Sequence, residues 1–390
     1  MTVAMEPLEL SVVMPCLNEA DTLEGCIRKA QQALRDSGIT GEVVVADNGS
    51  TDGSVEIARR CGARVVAVQA KGYGNALMGG IAAAQGRFVI MGDADDSYDF
   101  LEIPRFVTKL REGPDLVQGC RLPAGGGTTL PGAMPFLHRW WGNPMFSFLA
   151  RWWFHAPIHD INCGLRGFRK EYQQLLDQRC TGMEFASEMI IKASLRHAKI
   201  TEVPITLRPD GRKAHGPHLK TFRDGWRTLR FYLMFSPRWL FLMPGTVLIA
   251  LGVLGAAIAF PGVKLGPATF DVHTLLFSSL AFLLGYQSIL FALLTKAFAI
   301  NEGFMPKDPR VSRFFELVNL EKGLMAGGAS LLLGSVLLLS AVWQWKQAGF
   351  GPLNYSHTMR WVIPGSTFTA IGAQTVLSSF FASILGMSKR

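Results

Sequence analysis

Arg87-Phe88-Val89-Ile90-Met91-Gly92-Asp93-Ala94-Asp95-Asp96-Ser97 decides how the first part of this 390-residue chain is read. Arg87 to Met91 reads as a buried strand, and a polar turn follows it at once. In that turn Asp93 and Asp95 fall on one side of an extended segment, about 7 Å apart along the chain. Two hard carboxylates at that spacing suit Mg2+ or Mn2+ bridging a pyrophosphate. Asp-rich turns are also ordinary turns, so the meaning depends on what lies around them.

Outward from this strand the pattern repeats. Strands are expected at Leu8 to Met14, Glu42 to Ala46, Arg64 to Val68 and Asp115 to Gln118. Helical stretches lie between them, at Asp21 to Asp36, Asp52 to Cys61, Tyr73 to Ala84 and Phe100 to Glu112. Asp21 with Glu24 three residues later reads as a helix start. Alternating strands and helices predict an α/β domain on a mostly parallel sheet, which binds ligands beyond the carboxyl ends of its strands. The polar clusters sit at those ends: Pro15-Cys16-Leu17-Asn18-Glu19, Asp47-Asn48-Gly49-Ser50-Thr51-Asp52-Gly53, the Asp93 turn, and Gly119-Cys120-Arg121.

The first strand is followed by no glycine pair, and Gly72-Tyr73-Gly74 after the third lacks the last glycine of a dinucleotide fingerprint. No phosphate loop ending in Gly-Lys-Ser/Thr occurs either, so oxidoreductase and ATPase readings fall. The six cysteines, Cys16, Cys26, Cys61, Cys120, Cys163 and Cys180, form no C-x-x-C pair. Met1 to Leu10 is acidic and lacks an apolar run, so reduced cytosolic thiols are expected.

Charge divides the chain. Residues 1–238 carry 54 charged side chains and residues 239–390 only 15, about 23% and about 10% of each segment. Four apolar stretches in the second segment are long enough to span a bilayer: Trp239 to Phe260, His273 to Thr295, Leu324 to Trp345 and Val362 to Met387. Lys296, Lys307, Arg310, Arg313 and Lys322, between spans two and three, place that side and the N-terminal domain in the cytoplasm. Residues 219–238 read as an interfacial amphipathic helix, with Arg223, Arg227 and Arg230 on one face beside Phe222, Trp226 and Leu229. Phe136 to Phe154, with Trp140, Trp141, Trp152 and Trp153, is either a second such helix or core. The division is therefore residues 1–218, 219–238 and 239–390. The net charge of +9 splits into +4 before residue 239 and +5 after it, so it is no nucleic-acid footprint.

With these motifs in view, about residues 8–235 resemble family 2 glycosyltransferases with a GT-A nucleotide-sugar-binding fold. Within them they resemble the polyprenyl-phosphate glycosyltransferases, the group of dolichyl-phosphate mannose and glucose synthases. Pro15 to Glu19 matches P-x-x-N-E, Asp47 to Asp52 matches D-[DN]-G-S-x-D, Asp93-Ala94-Asp95 matches D-x-D, and Glu202-Val203-Pro204-Ile205 matches E-V-P-I. Gly119-Cys120-Arg121 is similar to G-S-R with Cys for Ser. Asp160 to Arg166 is similar to D-x-x-[ST]-G-F-R, with Cys163 and Leu165 departing.

The resemblance implies roles. Pro15, Leu17, Glu19 and Asp47 would hold the donor's base and ribose. Asp93, Asp95 and Ser97 would hold the metal and, with Ala94, the donor pyrophosphate. Arg121, Arg139 and Asn143 would bind the acceptor phosphate, and Arg212 and Lys220 resemble a basic loop that closes over the donor. Asp95, Arg121 and Arg139 would carry the catalysis, and Glu188 falls where the family has an acidic helix residue. A phosphate monoester is largely dianionic at neutral pH, so it can attack the sugar C1 without a general base, with inversion. Transfer to a lipid hydroxyl instead requires a base, for which Asp160, Glu184 and Glu188 are candidates. A processive polysaccharide synthase would show Q-x-x-R-W, but Phe136 and Phe235 stand where its glutamine belongs. A non-catalytic scaffold or transporter is weakened by spans with almost no charge. The expected partners are a nucleotide sugar (UDP-glucose or GDP-mannose), an undecaprenyl- or dolichyl-type phosphate and the inner membrane; a homo-oligomer stays open. The Gly125-Gly126-Gly127 stretch reads as a mobile loop near the acceptor or a plain linker.

Overall fold

The computed structural model describes residues 8–212, 221–317 and 319–386. It forms two compact units, the first ending at Tyr232 and the second beginning at Leu233. In the first, strands and helices alternate as β1 (Leu10–Cys16), α1 (Leu23–Asp36), β2 (Gly41–Asp47), α2 (Ser54–Arg60), β3 (Arg64–Ala67), α3 (Tyr73–Ala83), β4 (Phe88–Met91), α4 (Ile103–Arg111) and β5 (Leu116–Cys120). There follow β6 (Thr128–Thr129), α5 (Asn143–Phe154), β7 (Arg166–Arg169), α6 (Lys170–Leu175), α7 (Glu184–Leu195), β8 (Ile200–Pro204), β9 (Thr206–Leu207) and α8 (Thr221–Met234).

Seven strands make one sheet in the order β3-β2-β1-β4-β7-β5-β8. Six share a direction and β7 runs against its neighbours β4 and β5. The βα alternation in the sequence does not announce this reversed strand. Its consequence is local. Arg166, the first residue of β7, is level with Met91 at the end of β4. The loop before it therefore arrives at the edge formed by the carboxyl ends of the parallel strands.

The core follows the sequence pattern. All seven residues of β1 are buried, as expected of a strand covered on both faces. Val12 and Met14 join the cluster containing Leu23, Cys26, Ile27 and Ala30 of α1 and Phe106, Val107 and Leu110 of α4. Val13 points to the other face, against Gly80 of α3, where a Cβ would stand 2.6 Å from its Cγ1. The start of α1 differs from expectation: Thr22, not Asp21, precedes the first turn, and its hydroxyl donates to the carbonyl of Ala94 (2.6 Å). That bond ties the loop after β1 to the loop after β4. Gly125 and Gly127 are tightly packed, since a Cβ on Gly125 would lie 2.5 Å from Cys120 Sγ and one on Gly127 2.0 Å from the carbonyl oxygen of Cys120, whereas Gly126 between them is exposed.

A wide turn of π type at His138–Gly142 opens α5. One side of α5 is interior (Phe146, Ser147, Ala150, Phe154), while Trp140, Trp141, Phe148 and Trp152 are exposed. On α8, Phe222 and Trp226 are exposed and Tyr232 is buried, its ring edge-on to Phe146 and Phe154 at 5.7 Å each. Leu219 and Lys220 lie outside the described residues.

The second unit holds α9 (Met243–Ala259, preceded by a π-type turn from Arg238), a short hairpin of β10 (Lys264–Leu265) and β11 (Ala268–Thr269), α10 (Val272–Asn301), α11 (Pro309–Leu317), α12 (Leu320–Gln347) and α13 (Tyr355–Gly386). Four of these helices are long and apolar enough to cross a membrane. Glycines let pairs of them approach closely. A Cβ on Gly285 of α10 would stand 2.7 Å from the carbonyl of Gly245, and one on Gly372 of α13 would stand 2.7 Å from that of Gly327. Between α10 and α13, Tyr286 and Thr375 share a hydroxyl hydrogen bond of 2.5 Å.

Candidate active site

The carboxyl ends of β1, β2 and β4 carry the acidic residues, held by hydrogen bonds within and between their loops. Asp47 accepts from the backbone N–H of Gly49 (3.0 Å) and Ser50 (3.1 Å). Glu19 is buried, and the Ser54 hydroxyl accepts its N–H at 2.9 Å. Asp95 accepts from the N–H and hydroxyl of Ser97 at 3.0 and 2.6 Å. Pro15 is interior to β1, opposite Ala46, and Leu17 lies half-buried just past the strand. Ala94 is buried between the two aspartates.

Arg212 joins these loops. Its Nε and Nη2 donate to both oxygens of Glu19 at 2.7 and 2.6 Å, and its Nη1 lies 3.5 Å from Asp95. The sequence-predicted donor residues Glu19, Asp95 and Arg212 therefore converge, although 193 positions separate Glu19 from Arg212. Lys220 falls outside the described residues.

Asp93 sits deeper. Its Oδ1 accepts the Tyr73 hydroxyl at 2.8 Å. Burial, then the neighbouring Asp95 charge, push its carboxyl up to about 6. A divalent cation between two such carboxylates would offset that repulsion. Among the described residues no third His, Cys, Asp or Glu joins them. A two-carboxylate site suits Mg2+ or Mn2+ completed by substrate phosphates and water rather than by a full protein cage.

Behind this edge lies a buried polar layer that the reversed strand creates. Arg121 donates to Asp160 through Nε (2.7 Å) and Nη2 (2.9 Å), and its backbone N–H also reaches Asp160 (3.0 Å). Both residues are buried, Asp160 completely. The fork assigned from sequence to an acceptor phosphate is thus engaged inside the protein. Its Nη1 alone turns elsewhere, to the Tyr98 hydroxyl at 3.3 Å. Tyr98 also accepts the Gly164 N–H at 2.8 Å. A Cβ on Gly164 would stand 2.6 Å from Oδ2 of Asp93, so this glycine keeps the space before the carboxylate open. Arg166 is wholly buried and donates to the carbonyls of Ala186, Cys163 and Ile161, which holds the loop in shape.

Asn143 is buried at the start of α5, where its Oδ1 accepts from Asn162 at 2.9 Å. Arg139 is half-buried over the Trp140 ring (5.5 Å) and makes no ion pair among the described residues. Burial and the Arg121 charge hold the neighbouring His138 below its ordinary pKa. Of the candidate bases, Glu188 is paired with Lys192 (2.8 Å) and accepts the N–H groups of Arg179 and Cys180. Glu184 lies 3.9 Å from Arg227.

Thr22, Tyr73 and Tyr98 escape sequence reasoning; Gly164 and Asp160 lie in a motif it quoted, but the Gly164 clearance before Asp93 and the pairing of Asp160 with Arg121 do not show there. For Tyr73 the only signal was Gly72-Tyr73-Gly74, which reads as a failed fingerprint.

Comparison with known proteins identifies the family. Residues 11–176 match the model for glycosyl transferase family 2, and residues 293–386 match the family 2 C-terminal transmembrane region. The chain is 38% identical over 378 residues to the low-salt glycan biosynthesis hexosyltransferase Agl6 of Haloferax volcanii, covering 97% of this chain and 89% of that protein. It is 34% identical over 201 residues to the dolichyl-phosphate hexose transferase of the same organism, covering 51% and 83%. Glucosyl-3-phosphoglycerate synthase from Mycobacterium tuberculosis, solved with Mn2+, UDP and glucosyl-3-phosphoglycerate, aligns with TM-score 0.47 and 23% identity, over 59% of this chain and 80% of that one. Motif, sheet edge and near full-length relative converge: the chain belongs to glycosyltransferase family 2, as a glycosyltransferase with a C-terminal transmembrane region.

Proposed function

We propose that this glycosyltransferase moves a hexose, with inversion, from a nucleotide sugar (UDP-glucose or GDP-mannose) to a polyprenyl phosphate. In this reading the catalytic unit lies in the cytoplasm and the four spans cross the inner membrane. The observation that carries it is the state of the carboxylates. Asp93, Asp95, Glu19 and Asp47 line the sheet edge, whereas two of the three candidate bases, Asp160 and Glu188, are neutralised by buried cations. A phosphate acceptor, already anionic, needs no base. The name of the dolichyl-phosphate hexose transferase relative points the same way.

In this mechanism Asp47 and Glu19 hold the nucleoside and Pro15 and Leu17 frame it. Asp93 and Asp95, with the Ser97 hydroxyl, would hold Mg2+ or Mn2+, which when bound neutralises charge growing on the leaving diphosphate. Arg212, 3.5 Å from Asp95, would add positive charge beside the same leaving group, and Lys220 is assigned with it to the donor. Arg139 and Asn143 receive the acceptor phosphate. Arg121 adds a fixed positive charge at its Nη1 edge, with Asp160 setting its orientation. Bringing two anions together is the main task, so positioning and charge compensation supply most of the rate. The exposed aromatic side chains of α5 and α8 suit an acceptor whose tail stays in lipid.

The test is transfer from radiolabelled UDP-glucose and GDP-mannose in membranes supplied with polyprenyl phosphate, or with diacylglycerol or ceramide. Label on the polyprenyl lipid with inverted configuration supports the reading. Label only on a hydroxyl lipid, lost on Glu184→Gln, overturns it in favour of base-assisted glycolipid synthesis.

A further inference from the structure

Tyr73 is the one hydroxyl hydrogen-bonded to Asp93 among the described residues. Its position is enforced from both sides. Gly72 precedes it with φ +130, and a Cβ there would lie 2.4 Å from the carbonyl of Thr181. Gly74 follows it, donates its N–H to that same carbonyl (2.9 Å), and leaves only 2.2 Å between a Cβ and the carbonyl of Cys180. The loop supplying both carbonyls is fastened in turn. Glu188 accepts the N–H groups of Arg179 and Cys180, and Lys192 closes the pair while donating to the carbonyl of Asp177. A buried ion pair on α7 thus fixes the start of α3, which aims one phenol at one carboxylate oxygen.

A carboxylate has two equivalent oxygens and a rotatable bond, so something must decide which oxygen faces a ligand. Here Oδ1 is engaged by Tyr73, and Oδ2 lies before the open Cα face of Gly164. We infer that Tyr73 is a positioning residue for metal binding: its hydroxyl locks the Asp93 carboxylate so that Oδ2 is presented to the divalent cation. This rests on the reading of Asp93 and Asp95 as the metal pair. Groups that orient a metal ligand from behind commonly contribute 10- to 100-fold in affinity.

The test is Tyr73→Phe, which keeps the ring and removes the hydroxyl. Full-length protein in detergent is titrated with Mn2+ in the presence of UDP and, in parallel, GDP, and free Mn2+ is read by electron paramagnetic resonance. The variant should bind Mn2+ about 10-fold more weakly, and raising Mn2+ to saturation should restore its transfer rate. Wild-type Mn2+ affinity in the variant overturns the role of Tyr73 and leaves the metal pair standing. A transfer defect that no Mn2+ concentration restores also overturns it, since that marks damage to packing. Failure of the wild-type protein to bind Mn2+ with either nucleotide removes the metal reading itself, and the Tyr73 role with it.

Discussion

Asp160→Ala is the most informative perturbation, because Arg121 can be read as an acceptor ligand or as half of a structural pair. Asp160 is fully buried and Arg121 nearly so, with two charge-assisted bonds at 2.7 and 2.9 Å and a third from the backbone of residue 121. Removing one partner of such a pair strands the other charge and costs about 3–5 kcal/mol. In a unit of this size each kcal/mol lowers the melting temperature by roughly 2–4 °C, so the expected drop is about 6–20 °C. The assay is thermal unfolding of the purified full-length protein followed by near-ultraviolet circular dichroism. The combined Arg121→Met/Asp160→Asn variant removes both charges and keeps an acceptor for the residue-121 N–H. It should regain most of the lost stability, because stranded charge rather than lost contact dominates the single change. A melting temperature for Asp160→Ala within about 2 °C of wild type would refute the reasoning. Arg121 would then be available to ligands, and its sequence-based role would stand unmodified.

Gly164→Ala places a Cβ 2.6 Å from Asp93 Oδ2 and 3.1 Å from the Tyr98 ring. The carboxylate can swing away, so melting should fall by only a few degrees while Mn2+ binding drops sharply; intact binding would remove Gly164 from the site. Asp95→Ala should abolish transfer with the fold retained, read by the radiolabel assay beside circular dichroism; surviving transfer would show that the metal pair is misassigned. Gly327→Val drives a branched side chain toward Gly372, where even a Cβ would be 3.0 Å from the carbonyl. It should destabilise the membrane unit by about 1–3 kcal/mol in detergent-unfolding titrations, with catalytic-unit melting unchanged.

Much of this protein was legible without coordinates. Strand-length apolar runs, polar turns at their ends and four uncharged spans are local patterns with a fixed period, so Val12 to Met14, Asp93 and Asp95 fell where the pattern placed them. The layer behind Asp93 and Asp95 was not legible. Arg121 reads as a phosphate ligand because the family resemblance implies it, and nothing local says that a residue 39 positions away will take its fork. Asp160 gets there because β7 runs against the sheet, so the loop before it returns to the carboxyl-end edge instead of leaving it. Tyr73 was equally silent, since its partner is set by the packing of α3 against the loop at Thr181.

The sequence by itself determined the architecture and the chemistry on offer: an α/β sheet with acids at its carboxyl edge, tied to a membrane region. Those features depend on hydrophobic period and on turn residues, which act over a few positions. Only the tertiary structure decided which charges are paired inside the protein. Among the described residues Arg139 makes no ion pair, while Arg121 and Glu188 are engaged within the protein and Asp93 is held by Tyr73. The physical reason is that a buried charge must find a partner as the chain closes, and that partner is chosen by strand direction and packing rather than by neighbours in sequence.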